Sequence, residues 1–525
     1  MIIKFEEGKS YYFKNNEITD SDTSSQKLAK QAIFYLKNYE NLTLSGNNTT
    51  LLLDKSNDLV HWFNIDNSKN INVEGFNLEL SQPMYTLATV DNYKIYKTGD
   101  KSDNKYSGHY STPYIDITTP ISLGITEEFV PGYAESGASV AFGLPYTGDV
   151  NRSHIYINSI VPLDVSANKY RVYIRADKQS SLAGIITSYN YDQAHEKIAY
   201  MYENGLKFMI GIPGWGRYGA DDGSGAVVVT NSTDLSLENI NVFSSPTMVF
   251  HMRNNYGTFN IKNCNVTPKN EEDALAAWVD VFHVKENRCK FVIEDCLFEK
   301  AQDDIFNFST SYLKVTEVVA NNEFKMECPA LGGNYWMPLR VGDTVTLLNE
   351  ATGAFVGRTT IKEVKTVNSK PWVVVNDTLS GLEVGVAVYV DSLGQPNSVI
   401  KNCTIRGTYR FRTPLTVENC EIDQLYAWID TYPGNEGPIP RNITFKDCTF
   451  NPIKPSTEQI SAGYISYISD TYMMQIGTRS SAANTEYKTE NIQFINCKLK
   501  DGTAFTSALK LIDDMNGTGA GVTFQ

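Results

Sequence analysis

The chain has 525 residues, 42% hydrophobic and 20% charged, with a net charge of −14. That balance excludes an extended nucleic-acid or anionic-membrane surface, because both need clustered Lys and Arg. It fits a large core with a neutral partner.

The opening MIIKFEEGKSYYF lacks a basic segment followed by an apolar core, so no secretory signal is expected there. No apolar run reaches the roughly 18 residues of a membrane helix, and the compartment stays open. Residues 24–40, SSQKLAKQAIFYLKNYE, carry Leu28, Ile33 and Leu36 on or near one helical face. The expectation is a short N-terminal helix capping an open end of sheet.

Short alternating runs follow: NLTLSG at 41–46, NINVEGFNLEL at 70–80 and SLENINVF at 236–243. Six cysteines repeat the pattern: IKNCNV at Cys264, IEDCLF at Cys296, IKNCTI at Cys403, VENCEI at Cys420, FKDCTF at Cys448 and FINCKL at Cys497. Each sits behind Asn or Asp, with no zinc spacing, and reads as a small buried hydrophobe. The units at Asn239 and Asn263 are 24 residues apart. That spacing suits one coil of a parallel β-helix, three strands and three turns, with equivalent residues stacked about 4.8 Å apart. Asn at a repeated turn tolerates the left-handed backbone.

Two interruptions break the repeat. Cys403 follows Cys296 by 107 positions, and removing 312–396 leaves an offset of 22, about one coil. The removed stretch reads as five or six alternating strands, an inserted antiparallel barrel. Residues 84–222 hold the runs YKIYKT, SHIYINSI, NKYRVYIRAD and GLKFMIGI and read as a second inserted β domain. The division is therefore 1–83 cap and first coils, 84–222 insertion, 223–311 coils, 312–396 barrel and 397–525 final coils.

The candidate chemistry lies in AQDDIFNF, 301–308. Asp280 precedes Asp303 by 23 residues and Asp304 by 24, so one coil brings three carboxylates together. His283 and Asn307 follow at matching offsets and flank the cluster. Clustered carboxylates suit calcium, a solvated turn, or glycoside cleavage, in which one carboxyl gives a proton while another acts as base. No DxDxDG calcium loop occurs. Further candidates are Trp215 and Arg217 in PGWGRYG, Arg406, Arg410 and Arg412 in RGTYRFRTPL, and Trp428, Asp430 and Glu436 in WIDTYPGNEGP. On a strand Arg410 and Arg412 share a face.

The order SLENINVFSSPTMVFHMRNNYGTFNIKNCNVTP, then DVFHVKENRCKFVIEDCLFEKAQDDIFNF, then the insertion, then RFRTPLTVENCEI and NEGPIPRNITFKDCTF resembles glycoside hydrolase family 110 over about residues 205–450. These are bacterial α-1,3-galactosidases that remove terminal galactose from blood-group-B-type glycans. The trio is also similar to that of the polygalacturonase β-helix family. The resemblance implies a right-handed parallel β-helix with two inserted antiparallel β-barrel-like domains. It also implies inversion, no metal and no cofactor, and Asp280, Asp303 and Asp304 as catalytic carboxylates. Asp303 is then the acid, with Asp280 and Asp304 holding and activating the water; from their own positions, His283, Asn307, Arg217, Trp215, Arg412, Trp428 and Glu436 are the candidates for binding substrate. Val281 stands where the resemblance expects Gly, and Phe308 follows Asn307 where a His is commoner. The expected partner is a carbohydrate with terminal α-galactose, with no nucleic acid or membrane, and a homodimer is allowed. Two other readings stand beside it: a β-helix hydrolase or lyase on acidic polysaccharide, and a tailspike-like adhesin that binds glycan without cleaving it.

Overall fold

The computed structural model describes residues 1–14, 21, 23–54, 61–83, 85–94, 114–130, 139–141, 154–175, 198–212, 225–270, 273, 275–329, 337–367, 370–394, 397–431, 434–453, 473–478, 489–509, 511–514 and 521–525. Within them a 25-stranded parallel sheet winds as a three-faced solenoid. On the first face Val73, Leu237, Ile261, Ile293, Ile400, Val417, Phe445 and Phe494 lie in successive register. These positions point inward and are buried. Asn77, Asn241 and Asn265 are in register on the second face. The third face stacks Phe250, Phe282 and Phe306, with ring centroids 4.7 and 5.0 Å apart.

The corner between the first two faces explains the sequence repeat. Asn239, Asn263, Asp295, Asn402, Asn419, Asp447 and Asn496 all have φ between 50° and 57°. Asn and Asp adopt this left-handed conformation more readily than other non-glycine residues. Side chains bond along the stack, Asn419 to Asn402 at 2.8 Å and Asn402 to Asp295 at 3.1 Å. Ile240 follows the first of these corners and a cysteine follows each of the other six; each cysteine turns inward, and its thiol bonds the carbonyl two residues before it. All eight cysteines are buried and none is in a disulfide.

Two closed six-stranded barrels interrupt the solenoid, both antiparallel in their ladders. The first runs from Tyr85–Lys94 to Lys207–Gly211, and the second from Leu313–Ala320 to Val386–Val390. The second is tied to the solenoid by Arg288, whose guanidinium grips both oxygens of Asp343 at 2.7 and 2.8 Å.

One expectation is corrected at the N-terminus. Only Ser24–Lys30 is helical, and Ala32–Lys37 is a strand of the third face. Thr23 and Gln26 form a capping box that starts the helix. Beyond it, AIFYL is β-branched and aromatic, and pairing with His61–Asp66 takes it into the sheet. Leu36 is buried there as a strand residue.

His61, 2% exposed, donates from Nδ1 to the Gly225 carbonyl at 2.7 Å. Burial lowers its pKa to about 4. The folded chain then stays neutral at this site while the unfolded chain takes up a proton below its ordinary value near 6.5. Stability therefore falls as pH drops from about 6.5 to 4, by about 3 kcal/mol from this group. His61→Gln should remove that part of the slope in denaturant midpoints measured across the window. An unchanged slope would refute the assignment.

Candidate active site

The third face carries a polar row as well as its apolar stack. His251, His283, Asn307, Arg410 and Trp428 occupy successive rungs in register. Two residues further along each strand, Lys285 pairs with Ser309. The Arg412 amide bonds the Phe308 carbonyl, which sets Arg412 on the next rung.

The aspartates sit where the second face turns into the third. Phe282 pairs with Phe306, and the Val281 amide bonds the Asp304 carbonyl at 2.9 Å, so Asp280 lies one rung from Asp304. A regular strand would send Asp303 and Asp304 to opposite sides. Here the ladder between Leu297–Ser309 and Thr404–Phe411 slips, with Glu299 opposite Arg406, Asp304 opposite Thr408 and Phe306 opposite Tyr409. The surplus residues bulge and re-aim their side chains. One carboxylate oxygen from each of Asp280, Asp303 and Asp304 lies within 4.8 Å of the others. Gly407 takes φ 149° at the slip, and a Cβ there would stand 2.8 Å from Ile305.

Each aspartate has a distinct setting. Asp280, 3% exposed, accepts a bond from His283 Nδ1 at 2.6 Å and one from the Asp304 amide at 3.3 Å. Asp304, 1% exposed, accepts from the Thr408 hydroxyl at 3.2 Å and faces Arg410 Nε at 3.5 Å. Asp303 is half-buried.

Glu436 is the hub of the neighbouring charges. It meets Arg412 Nη1 at 2.7 Å, Arg410 Nη1 at 3.2 Å and Lys285 Nζ. Burial alone would raise its pKa, but Lys285, Arg410 and Arg412 hold it well below the usual range. Burial opposes the charge on Arg410, yet Asp304, Glu436, Asp303 and Asp280 push its pKa well above the ordinary value. Arg412 shifts down, through burial and then repulsion from Arg410. Arg412 also donates from Nε to the Asp430 carbonyl at 2.5 Å. Trp428, half-buried, lies with its ring 5.2 Å from the Arg410 guanidinium and 4.8 Å from the Tyr426 ring.

Asp280, Asp303, Asp304, His283, Asn307, Arg412, Trp428 and Glu436 therefore converge on one face. Arg406 does not: it belongs to the second face and pairs with Glu299 and Asp423. Trp215 and Arg217 lie outside the described residues. Val281 and Phe308 are both core residues at 0% exposure. Sequence reasoning missed Lys285 and Thr408. Lys285 was recoverable, two residues past His283 on the same side of a strand; Thr408 faces Asp304 only because of the slip.

The trio could chelate a cation, since hard ions take carboxylate oxygens. His283 and Arg410 already occupy part of that donor set. Among the described residues, five carboxylates (Asp280, Asp303, Asp304, Asp430, Glu436) stand against three fixed cations (Lys285, Arg410, Arg412), an acidic excess.

No family profile and no curated protein matches the sequence. Among solved structures, the tailspike protein gp49 from Pseudomonas phage LKA1 aligns with 11% identity and a TM-score of 0.20. The alignment covers 90% of this chain and 53% of that one, so this chain spans about half its length.

Gly407→Ala should destabilise the protein by about 1–3 kcal/mol, because the new methyl meets Ile305 in a conformation disfavoured for L residues. Melting shifts would measure it, and wild-type stability would mean that the slip tolerates a side chain.

Proposed function

We propose that the chain is a glycoside hydrolase that removes terminal α-1,3-linked galactose from oligosaccharides or glycoconjugates. The observation that carries this reading is the convergence of Asp280, Asp303 and Asp304 within 4.8 Å on a face that also presents Trp428, Asn307 and His283. The substrate class and a right-handed coil follow from the family resemblance. The right-handed rule for parallel crossovers supports the hand.

The settings suggest roles. Asp280 and Asp304 are the more buried and are held as acceptors by His283, Thr408 and Arg410. They orient a water and take its proton as its oxygen bonds the anomeric carbon. Asp303, the more open of the three, gives its proton to the departing glycosidic oxygen as the carbon–oxygen bond breaks. Trp428 offers a flat apolar surface to a sugar ring. The acidic excess of this face argues against an acidic polysaccharide, which would need a basic cleft.

One distance favours a second stereochemical reading. Inverting pairs usually stand about 6.5–9.5 Å apart and retaining pairs about 5–5.5 Å. Oxygens within 4.8 Å are closer to the retaining class. A water bridging Asp280 and Asp304 fits that gap for inversion; a direct carboxylate attack fits it for retention.

The test is galactose release from a B-type or Galα1,3Gal oligosaccharide, with NMR of the first-formed anomer. β-Galactose supports inversion, α-galactose supports retention, and no release from any α-galactoside sinks the substrate class. Asp303→Asn should slow turnover by about 10²–10⁴-fold while the melting temperature holds. Chelator treatment should leave the rate unchanged; loss restored by a divalent ion would make the trio a metal site.

A further inference from the structure

Glu436 reaches its three cations from a loop that belongs to neither stacked face. Residues 434–439 lie between the solenoid and the second barrel. Gly434 takes φ 80°, and a Cβ there would stand 2.6 Å from Glu350 of the barrel. At Gly437 a Cβ would stand 2.1 Å from the Tyr389 ring, also in the barrel. Ile439 is buried in one cluster with Leu348, Ala387 and Tyr389. Gly437 and Thr310, at the root of the barrel, exchange two backbone bonds of 2.6 and 2.8 Å. Tyr389 is fully buried against this loop; burial pushes its phenol pKa up, and the Gly434 and Asn435 backbone pulls the other way. On its other side the loop sends Glu436 to Lys285, Arg410 and Arg412.

We infer that the second barrel is a positioning device for the site, with Tyr389 as the positioning residue that seats Glu436 through the 434–437 backbone. Two glycines let the loop lie flat on the barrel, and the barrel thereby fixes the carboxylate that gathers three cations. Glu436 in turn holds the Arg410 guanidinium between itself and Asp304. A free-standing sugar-binding appendage would not need contacts of this kind with the loop beside the trio. The inference rests on the proposed hydrolase reading only for its kinetic readout.

The experiment uses the full chain and three variants: Tyr389→Phe, Glu436→Gln and the double variant. Hydrogen exchange of peptides covering 434–440 tests the seating whether or not the protein cleaves anything. Tyr389→Phe should speed exchange there by about tenfold, while peptides from the solenoid core stay protected. Unchanged exchange in 434–440 overturns the inference. With galactose release as readout, Tyr389→Phe should lower kcat/KM by about tenfold. In the Glu436→Gln background it should lower it by no more than about twofold, because the two residues act in series. Equal losses in both backgrounds would also overturn it, since Tyr389 would then be acting on stability alone. If no galactoside is cleaved, the exchange result still decides the inference, and only the function falls.

Discussion

Every coil must leave its first face through a left-handed corner, and the rest of the molecule depends on that constraint. If one corner turned differently, the next strand would lose its register and every outward residue after it would face inward. Asn or Asp at 239, 263, 295, 402, 419, 447 and 496 meets the constraint with one residue per coil. Side-chain bonds along that edge then tie Asn402 to Asp295, Asn419 to Asn402 and Asn496 to Asp447. Register kept this way sets Asp280 beside Asp304, which are 24 residues apart in the chain.

Such stacking takes no account of charge, and the site shows the consequence. Two ionised carboxylates at 4.8 Å repel by about 3 kcal/mol at an effective dielectric near 20. The Arg410 guanidinium, 3.5 Å from Asp304, returns an attraction of about 5 kcal/mol on the same scale. Burial of these groups offsets part of that gain. The balance needs cations from a later rung and an anion from outside the stack to hold those cations. The acidic corner is therefore assembled from the solenoid, its bulge and a loop braced by an insertion.

Much of this was legible in the chain because repetition makes spacing informative. The phrase before each cysteine marked the corners, and the gap from Asp280 to Asp304 equalled a coil already measured at Asn239 and Asn263. Both interruptions announced themselves as gaps too long for a coil. Other parts were hidden for physical reasons. In residues 31–37 the apolar spacing fits a helix face, yet the strand wins through pairing with His61–Asp66, a contact that local pattern does not encode. Thr408 and the shared direction of Asp303 and Asp304 depend on a slip of register in one ladder, which no spacing reveals. Glu436 was visible as an acid in a glycine-rich turn, but its three cations come from strands 24 to 151 residues away.

The first insertion also bears on how the chain comes to be folded. Asn241 bonds Asn77 across 164 residues, whereas Asn265 bonds Asn241 across only 24. Closing the longer loop from a flexible chain costs about 1.7 kcal/mol more, since the penalty grows with the logarithm of length. A barrel that closes on its own antiparallel ladders draws the two ends of that loop together beforehand. The solenoid can then zip past the junction as though the inserted residues were a short turn, and the order of assembly is set by which pairings are local.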